Sequence, residues 1–220
     1  MNKGVKNSDL FAFYPAYLSA LFESCEYPWE VVLKIKDYIY ELISGKTKGY
    51  TLYKENVLVG KNVKIYPTAT IESPCIIGDG STVRAGAFIR GTVIIGERCV
   101  IGNSSEIKNS VLLSNVQVPH YNYVGDSVLG NRVHLGAGSI CSNLKADGKN
   151  VVIHADRDIE TGMRKVGAFL GDGVNVGSGC VLNPGTVIMQ NTSVYPMTLL
   201  RGVYPPNSIV KSAETIVQKN

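Results

Sequence analysis

Aliphatic side chains recur at every sixth position between residues 59 and 113, and this spacing constrains the fold more than any other feature of the chain. A helix repeats every 3.6 residues and a strand every 2, so neither produces a period of six. Short strands joined by equal corners do produce it, and one coil of such strands buries its apolar side only by stacking on others. The ten positions are Val59, Ile65, Ile71, Ile77, Val83, Ile89, Ile95, Ile101, Ile107 and Leu113. The sequence therefore predicts an all-β solenoid, a parallel β-helix of hexapeptide repeats.

The interruptions of the repeat indicate where function resides. We expect the ladder to run unbroken to Leu113, to fail at Pro119–His120 and to recover at Val124. It fails again in a polar, charged excursion near 142–165 and resumes at Leu170. Loops that leave a regular solenoid on one face usually bind or catalyse.

The residues before about position 50 have helical rather than six-residue spacing. They predict two amphipathic helices, the second beginning near Pro28 and ending near Gly45. We expect an N-terminal helical segment over 1–50, packed on itself or on the β-helix as a small cap over the open edge of the first coil. Docking of a partner is the alternative. Residues 51–220 then form the β-helix domain, with a C-terminal tail leaving the last coil.

Composition excludes several classes of function. Lys and Arg number 22 against 18 Asp and Glu, and a net charge of +4 is too weak to indicate a nucleic-acid partner. No apolar stretch approaches the roughly 18 residues of a membrane span, and the first residues lack a signal core. Cys75, Cys99, Cys141 and Cys180 stand in apolar surroundings typical of small core residues. We expect a reduced, cytoplasmic protein that binds neither membrane nor nucleic acid.

Three segments resemble one enzyme family. They are VPHYNYVGDSVLG, LGAGSICSN and KVGAFLGDGVNVGSGCVLNPGT. Together they resemble hexapeptide-repeat acyltransferases, above all the acetyltransferase domain of bifunctional sugar-1-phosphate nucleotidylyltransferases, over roughly residues 60–210. The resemblance implies a left-handed β-helix, a homotrimer, and acetyl-CoA-dependent N-acetylation of an amino sugar 1-phosphate, such as glucosamine or galactosamine 1-phosphate, or of a related nucleotide sugar.

The nucleotidyl domain of those bifunctional proteins has no counterpart before Val57. We therefore expect no nucleotidylyltransferase activity. The alternative to an acetyltransferase is a non-catalytic β-helix that serves as an oligomerisation or regulatory subunit of a sugar nucleotidylyltransferase.

His120 is the first candidate for a catalytic residue. N-acetylation needs a base that takes a proton as the amine attacks the thioester, and imidazole, with a pKa near ~6.5, suits this task at neutral pH. The family's base is the histidine of this H-x-x-Y block. The residues alone leave open a histidine that merely forms a corner beside Pro119.

The resemblance also implies an acceptor site. Tyr123 matches a tyrosine that contacts the sugar, and Arg84 and Lys108 match basic residues that contact its phosphate, as a phosphate requires. Arg90 lies in a hexapeptide that the bacterial domain lacks. His134 stands where the bacterial family has a sugar-binding asparagine. A histidine there can still hydrogen-bond a hydroxyl or phosphate of the substrate; the alternatives are a different preferred sugar or a site that has drifted.

The acyl donor site is implied in the same way. Asn143 matches the asparagine that closes the acetyl-transfer site, where an amide can hold the thioester or polarise its carbonyl. The residues that match contacts to acetyl-CoA are Ala137, Asn143, Lys149, Ser178 and Lys211, with Lys145, Arg164, Lys165 and Arg201 as further cations for its phosphates.

A zinc site is the remaining alternative, since some hexapeptide β-helices are zinc carbonic anhydrases. The three histidines, His120, His134 and His154, include no close pair, whereas ligands must converge on the metal at about 2.0–2.1 Å. We therefore expect no metal ligands and no metal requirement.

Overall fold

The computed structural model describes residues 4–45 and 48–219, and most of this chain is a parallel β-helix. Residues 1–3, 46–47 and 220, which belong to the predicted helical segment and tail, lie outside the described residues. Each coil contributes one short strand to each of three sheets, and strands 17 or 18 residues apart pair in parallel, as Val57 does with Cys75 and Val111 with Val128. The predicted architecture is confirmed.

The three sheets have these members. Sheet 1 contains Val57–Val59, Cys75–Ile77, Val93–Ile95, Ser110–Leu112, Val128–Leu129, Ala168–Leu170, Thr186–Ile188 and Val203–Tyr204, with Thr51–Lys54 antiparallel at its start. Sheet 2 contains Lys64–Ile65, Thr82–Val83, Val100–Asn103, Gln117–His120, His134–Leu135, Asn175–Val176, Ser193–Val194 and Ser208–Val210, with Ile216–Gln218 antiparallel at its end. Sheet 3 contains Thr70–Glu72, Phe88–Arg90, Glu106–Lys108, Tyr123–Gly125, Ile140–Cys141, Val181–Leu182 and Leu199–Leu200.

The inner core follows the six-residue ladder with one correction. Leu112, not Leu113, points into the coil, and Leu113 packs among the helices outside. The coil from Ile95 to Leu112 is thus one residue short, because only five residues separate Ile107 from Leu112. The predicted break at Pro119–His120 is wrong, since the register changes earlier. Residues 111–113 are all apolar, so periodicity could not decide which of them points inward.

The N-terminal helices pack against the side of the β-helix, along sheet 1, and not over the end of the first coil. Their bounds are Asn7–Leu10, a 3-10 turn at Ala16–Leu18, Ser19–Glu23 and Pro28–Ser44. The long helix begins at Pro28, where a missing N–H costs little, and the Glu30 carboxylate accepts hydrogen bonds from the Glu26 and Tyr27 N–H groups. No helix among the described residues combines the length and apolar character needed to cross a bilayer.

The outward side chains of sheet 1 explain this position, because they are as apolar as the inward ones. Ile76, Ile94, Val128 and Phe169 form a second core with the helices, and the Trp29 ring lies 5.9 Å from the Phe169 ring. The parallel strands of sheet 1 are therefore buried on both faces. The Asp172 carboxylate adds a polar link by accepting from the Ala12 N–H at 3.0 Å.

The excursion folds into a β-hairpin instead of an open loop. Val152–His154 pairs antiparallel with Asp158–Glu160, and a bridge between Leu144 and Lys165 closes its base. Val151, Ile153 and Val166 are fully buried in the second core, beside the helices. The chain re-enters the β-helix in register, since Val128 pairs with Phe169.

Both ends of the solenoid are extended by antiparallel strands. Thr51–Lys54 covers the first strand of sheet 1, so a strand protects the edge that we expected the helices to protect. The predicted tail does not leave the last coil, because Ile216–Gln218 folds back on Ser208–Val210. The two consecutive prolines, Pro205 and Pro206, suggested that the chain leaves the coil, and nothing in the sequence after them indicated a returning strand.

The four predicted core cysteines are fully buried inside the coils. Burial raises the pKa of the Cys75, Cys99 and Cys141 thiols to about 12. These thiols stay protonated at neutral pH and serve as small core residues, as predicted.

We expect Phe169→Ala to lower the free energy of unfolding by about 3–5 kcal/mol, because it empties the centre of the second core. Phe13→Ala is the matched control, since that ring is 52% exposed and should change stability by no more than about 0.5 kcal/mol. Urea unfolding followed by tryptophan fluorescence measures both, and equal losses would contradict the packing of helices on sheet 1.

Candidate functional site

His120 lies at the corner between sheets 2 and 3, held from below by a buried amide. Its side chain is exposed, and its N–H donates to Asn122 Oδ1 at 3.0 Å. Asn122, 3% exposed, donates through Nδ2 to the carbonyls of Gly136 and Ser139 in the next coil. Tyr121 between them has φ = 51°, a conformation that is strained for a bulky residue. The corner presents His120 outward on a rigid backbone.

Two of the residues predicted to contact acetyl-CoA stack on this corner in successive coils. The Gly138 N–H donates to the His120 carbonyl at 3.0 Å, which places Ala137 beside His120. The Gly179 N–H donates to the Ala137 carbonyl at 2.8 Å, which places Ser178 one coil further. Lys211 lies near the same corner, because it directly follows the sheet 2 strand in which Val210 pairs with Val194.

Cations collect on the outer face of sheet 3. Strands Phe88–Arg90 and Glu106–Lys108 pair side by side, so Arg90 and Lys108 occupy adjacent coils in one column. Arg90 pairs with Glu106 at 3.0 Å, and Glu106 lies opposite Tyr123. Arg84, in contrast, follows a strand of sheet 2, on the side of the corner that bears His120 and two coils before it.

Tyr123 extends along this face toward the second corner of sheet 3. Its hydroxyl lies beside the Asn143 amide, and burial raises the pKa of the phenol. The strand leaves room because residue 125 is glycine. A Cβ there would lie 2.5 Å from the Tyr123 hydroxyl and 2.8 Å from Asn143 Nδ2.

A buried carboxylate organises the second corner. Asp126 is 3% exposed and accepts from Asn109 Nδ2 at 2.7 Å, from Lys108 Nζ at 3.4 Å and from Asn143 Nδ2. Lys108, Tyr123 and Asn143, three residues predicted separately, thus form one polar cluster around Asp126.

The other predicted residues lie apart from this cluster. His134 is on the outer face of sheet 2, where its Nδ1 lies 3.0 Å from Asn175 Oδ1. Lys149 is exposed on the excursion, and its N–H donates to Asp147 at 3.0 Å. Arg164 and Lys165 are exposed at the base of the excursion.

A groove of about 900 Å³ separates the excursion from the later coils of sheet 3. Lys145, His154 and Arg201 line it with the apolar side chains of Leu144 and Leu199. His154 links the hairpin to the β-helix, since its Nε2 accepts from Arg201 at 3.0 Å. Its Nδ1 lies 2.9 Å from Asp158 Oδ1 on the same hairpin.

The three histidines occupy three different elements, namely the His120 corner, sheet 2 and the hairpin. Within residues 4–45 and 48–219, no group of three His, Cys, Asp or Glu side chains is arranged to hold a metal ion.

Arg90 and Asp126 are two residues of the candidate site to which the sequence pattern assigned no role. Arg90 precedes Lys108 by one coil length, 18 residues, and that spacing alone could have placed the two together. Asp126 ends the quoted Y-x-G-D run, but only the fold shows that residues 108, 126 and 143 meet. The short coil after Ile107 hid this relation.

Comparisons with known sequences agree with these features. The family profile described as "GMPPB C-terminal domain" matches residues 71–164. "Bifunctional protein GlmU" of Methanococcus maripaludis (strain C5 / ATCC BAA-1333) is 32% identical over 206 residues, 92% of this chain and 50% of that protein. "Bifunctional sugar-1-phosphate nucleotidylyltransferase/acetyltransferase" of Sulfurisphaera tokodaii is 32% identical over 176 residues, 77% of this chain and 43% of that protein. The chain spans about half the length of the curated relatives that it matches.

Solved structures show the same fold. An Arabidopsis UDP-N-acetylglucosamine acyltransferase superposes with a TM-score of 0.52 at 10% identity, covering 76% of this chain and 65% of that one. This likeness confirms the fold, a left-handed β-helix of hexapeptides.

We expect Asn122→Ala to lower the free energy of unfolding by about 1–3 kcal/mol, because it leaves buried backbone groups at the His120 corner without partners. Asn103→Ala is the control, since that exposed side chain accepts a hydrogen bond from its neighbour Ser104 and its loss should cost less than about 0.5 kcal/mol. Urea titrations compare the two, and an Asn122 variant as stable as the control would contradict the proposed anchoring of the corner.

Proposed function

We propose that this chain is an acetyl-CoA-dependent N-acetyltransferase of an amino sugar 1-phosphate or related nucleotide sugar. The premise is that it is a hexapeptide-repeat, left-handed β-helix protein homologous to the C-terminal region of those bifunctional enzymes. The observation that supports this most directly is the arrangement of His120, Tyr123, Lys108 and Asn143 along one face of the coil. We assign no nucleotidyl-transfer role to the described residues.

The acceptor would lie along the outer face of sheet 3. Its phosphate needs cations, and Arg90 and Lys108 supply two in adjacent coils, about 4.8 Å apart along the axis. Arg90 fits this task better than Arg84, because it shares the face with Tyr123. We assign Arg84 to the His120 side of the same acceptor, and His134 to a sugar contact from sheet 2.

The chemistry then requires one proton acceptor. The sugar amine attacks the thioester carbonyl carbon, a C–N bond forms, the C–S bond breaks, and coenzyme A leaves. His120, exposed and with its backbone fixed by Asn122, accepts the proton that the nitrogen loses. Asn143, beside the Tyr123 hydroxyl, would adjoin the reacting groups.

The residues present fit acetyl-CoA as the donor. The corner column of Ala137 and Ser178 offers small side chains and backbone groups to an extended arm. The groove supplies Lys145 and Arg201 for the phosphates and Leu199 for the apolar portion. Lys149 and Lys211 are further cations that we assign to the donor.

We propose a homotrimer with transfer in a cleft between subunits. Within one chain, His120 and Asn143 lie at the two opposite corners of sheet 3, so a second subunit would enclose the substrates between them. Ile140 and Leu199, 38% and 60% exposed, leave apolar surface on this sheet that a neighbour would cover. Light scattering on the purified protein measures the assembly.

We expect His120→Ala to lower kcat by roughly 10²- to 10⁴-fold, as loss of a general base does. A thiol-release assay with acetyl-CoA and a panel of amino sugar 1-phosphates measures it. The variant should keep the melting temperature and assembly of the parent. Unchanged turnover would contradict the mechanism. A parent that assembles but turns over no sugar would favour the regulatory subunit.

We expect Arg90→Ala to raise KM for the phosphorylated acceptor roughly 10- to 100-fold with little change in kcat, since a phosphate contact contributes equally to both states. Arg98→Ala is the matched control, because Arg98 pairs with Glu97 at 2.8 Å on the corner between sheets 1 and 2. It should leave KM unchanged. The same amino sugar without phosphate should barely distinguish the Arg90 variant from the parent.

A further inference from the structure

The corner that bears Asp126 does not need a charged residue. In the two preceding coils the equivalent positions hold Thr92 and Asn109, with φ values of 53° and 45° against 49° for Asp126. Uncharged side chains therefore satisfy the same backbone conformation. A carboxylate that is 97% buried carries a desolvation cost, so its contacts must offset that cost.

Those contacts are all hydrogen-bond donors, as a carboxylate requires. Oδ1 accepts from Asn109 Nδ2 at 2.7 Å, and Oδ2 accepts both from Lys108 Nζ and from Asn143 Nδ2. One oxygen atom thus joins the residue assigned to the acceptor phosphate and the residue assigned to acetyl transfer.

The carboxylate also fixes which way the Asn143 amide faces. Because Asp126 can only accept, Nδ2 of Asn143 must point to it, and Oδ1 must point away. The Tyr123 hydroxyl and the Asn143 amide both lie over Gly125, in the space that a side chain at residue 125 would fill. Without Asp126, either orientation of the amide would be available.

Asp126 holds the excursion at both ends as well. Asn143 begins it, and the Gly167 N–H, at its end, donates to the Asp126 carbonyl at 2.8 Å. The side chain of Asp126 therefore binds Asn143 at the start of the excursion, while its backbone carbonyl binds the residue at which the chain rejoins the β-helix.

We propose that Asp126 is a positioning residue for acyl transfer, which aims the Asn143 amide and shares Lys108 with the acceptor phosphate. The inference rests on the proposed function. When the phosphate draws Lys108 away from Oδ2, that oxygen binds Asn143 alone, so arrival of the acceptor tightens the placement of the amide.

Asp126→Asn tests this with little change in volume. The new amide must direct an NH₂ group either at Asn109 or at Lys108 and Asn143, so the donors clash. We expect kcat to fall roughly 10- to 100-fold, as misplacement of a reacting group does. KM for the phosphorylated acceptor should stay level or fall, because Lys108 is released from its ion pair.

Asn109→Gly is the matched control. It removes the hydrogen bond to Oδ1 without touching Asn143, and glycine accepts the positive φ of this position. We expect both Asn109→Gly and Asp126→Asn to lower the melting temperature, but Asn109→Gly should leave kcat within twofold of the parent. Equal losses of kcat in the two variants would reduce Asp126 to a structural role and overturn the inference.

A double-mutant cycle with Asn143→Ala gives the decisive readout. If Asp126 acts through Asn143, Asp126→Asn should change kcat less than threefold when Asn143 is already alanine. The same fold-loss in both backgrounds overturns the inference alone. A parent chain that turns over no amino sugar phosphate overturns the proposed function, and this inference with it.

Discussion

Backbone hydrogen bonds between successive coils are the constraint on which the rest of this structure depends. They hold equivalent residues about 4.8 Å apart along the axis, whatever the side chains are. Residues 17 or 18 apart in sequence therefore become neighbours, as Arg90 and Lys108 do, and so do His120 and Ala137. Aliphatic side chains inside the coil stabilise the stack, while the corners are free to carry other chemistry.

Burial of sheet 1 on both faces decides which surfaces can bind substrates. The helices and the hairpin cover its outer side, where Ile94, Val128 and Phe169 are fully buried. Sheets 2 and 3 keep their outer faces, and the corner between them bears His120. Lys108, Tyr123 and Asn143 meet on sheet 3, whose outer face, like that of sheet 2, lies outside both cores.

The sequence predicted the coil, the inward residues and the existence of the excursion, since each follows from a period or its interruption. It misplaced the register at Leu113, because three consecutive apolar residues fit either alternative. It placed the helices over the open edge of the first coil. An amphipathic pattern shows that one face of a helix is buried, but it does not show which surface buries that face. Asp126 escaped notice, because its partners depend on one shortened coil that only the register of Glu106 with Tyr123 reveals. Arg90 was given no role, although its 18-residue spacing from Lys108 puts the two residues in adjacent coils.

The excursion shows why a β-helix tolerates a large insertion beside its proposed active site. Closing a loop costs only about 0.6 kcal/mol more for each doubling of its length, provided that its ends are already held together. Here the coil itself holds them, since Val128 pairs in parallel with Phe169, 41 residues later, just as Val111 pairs in parallel with Val128. Val151 and Ile153 then bury the hairpin against sheet 1, and Asp126 binds both Asn143 and Gly167. The insertion is thereby fixed at its base and along one side, while Lys145 and His154 remain on the groove.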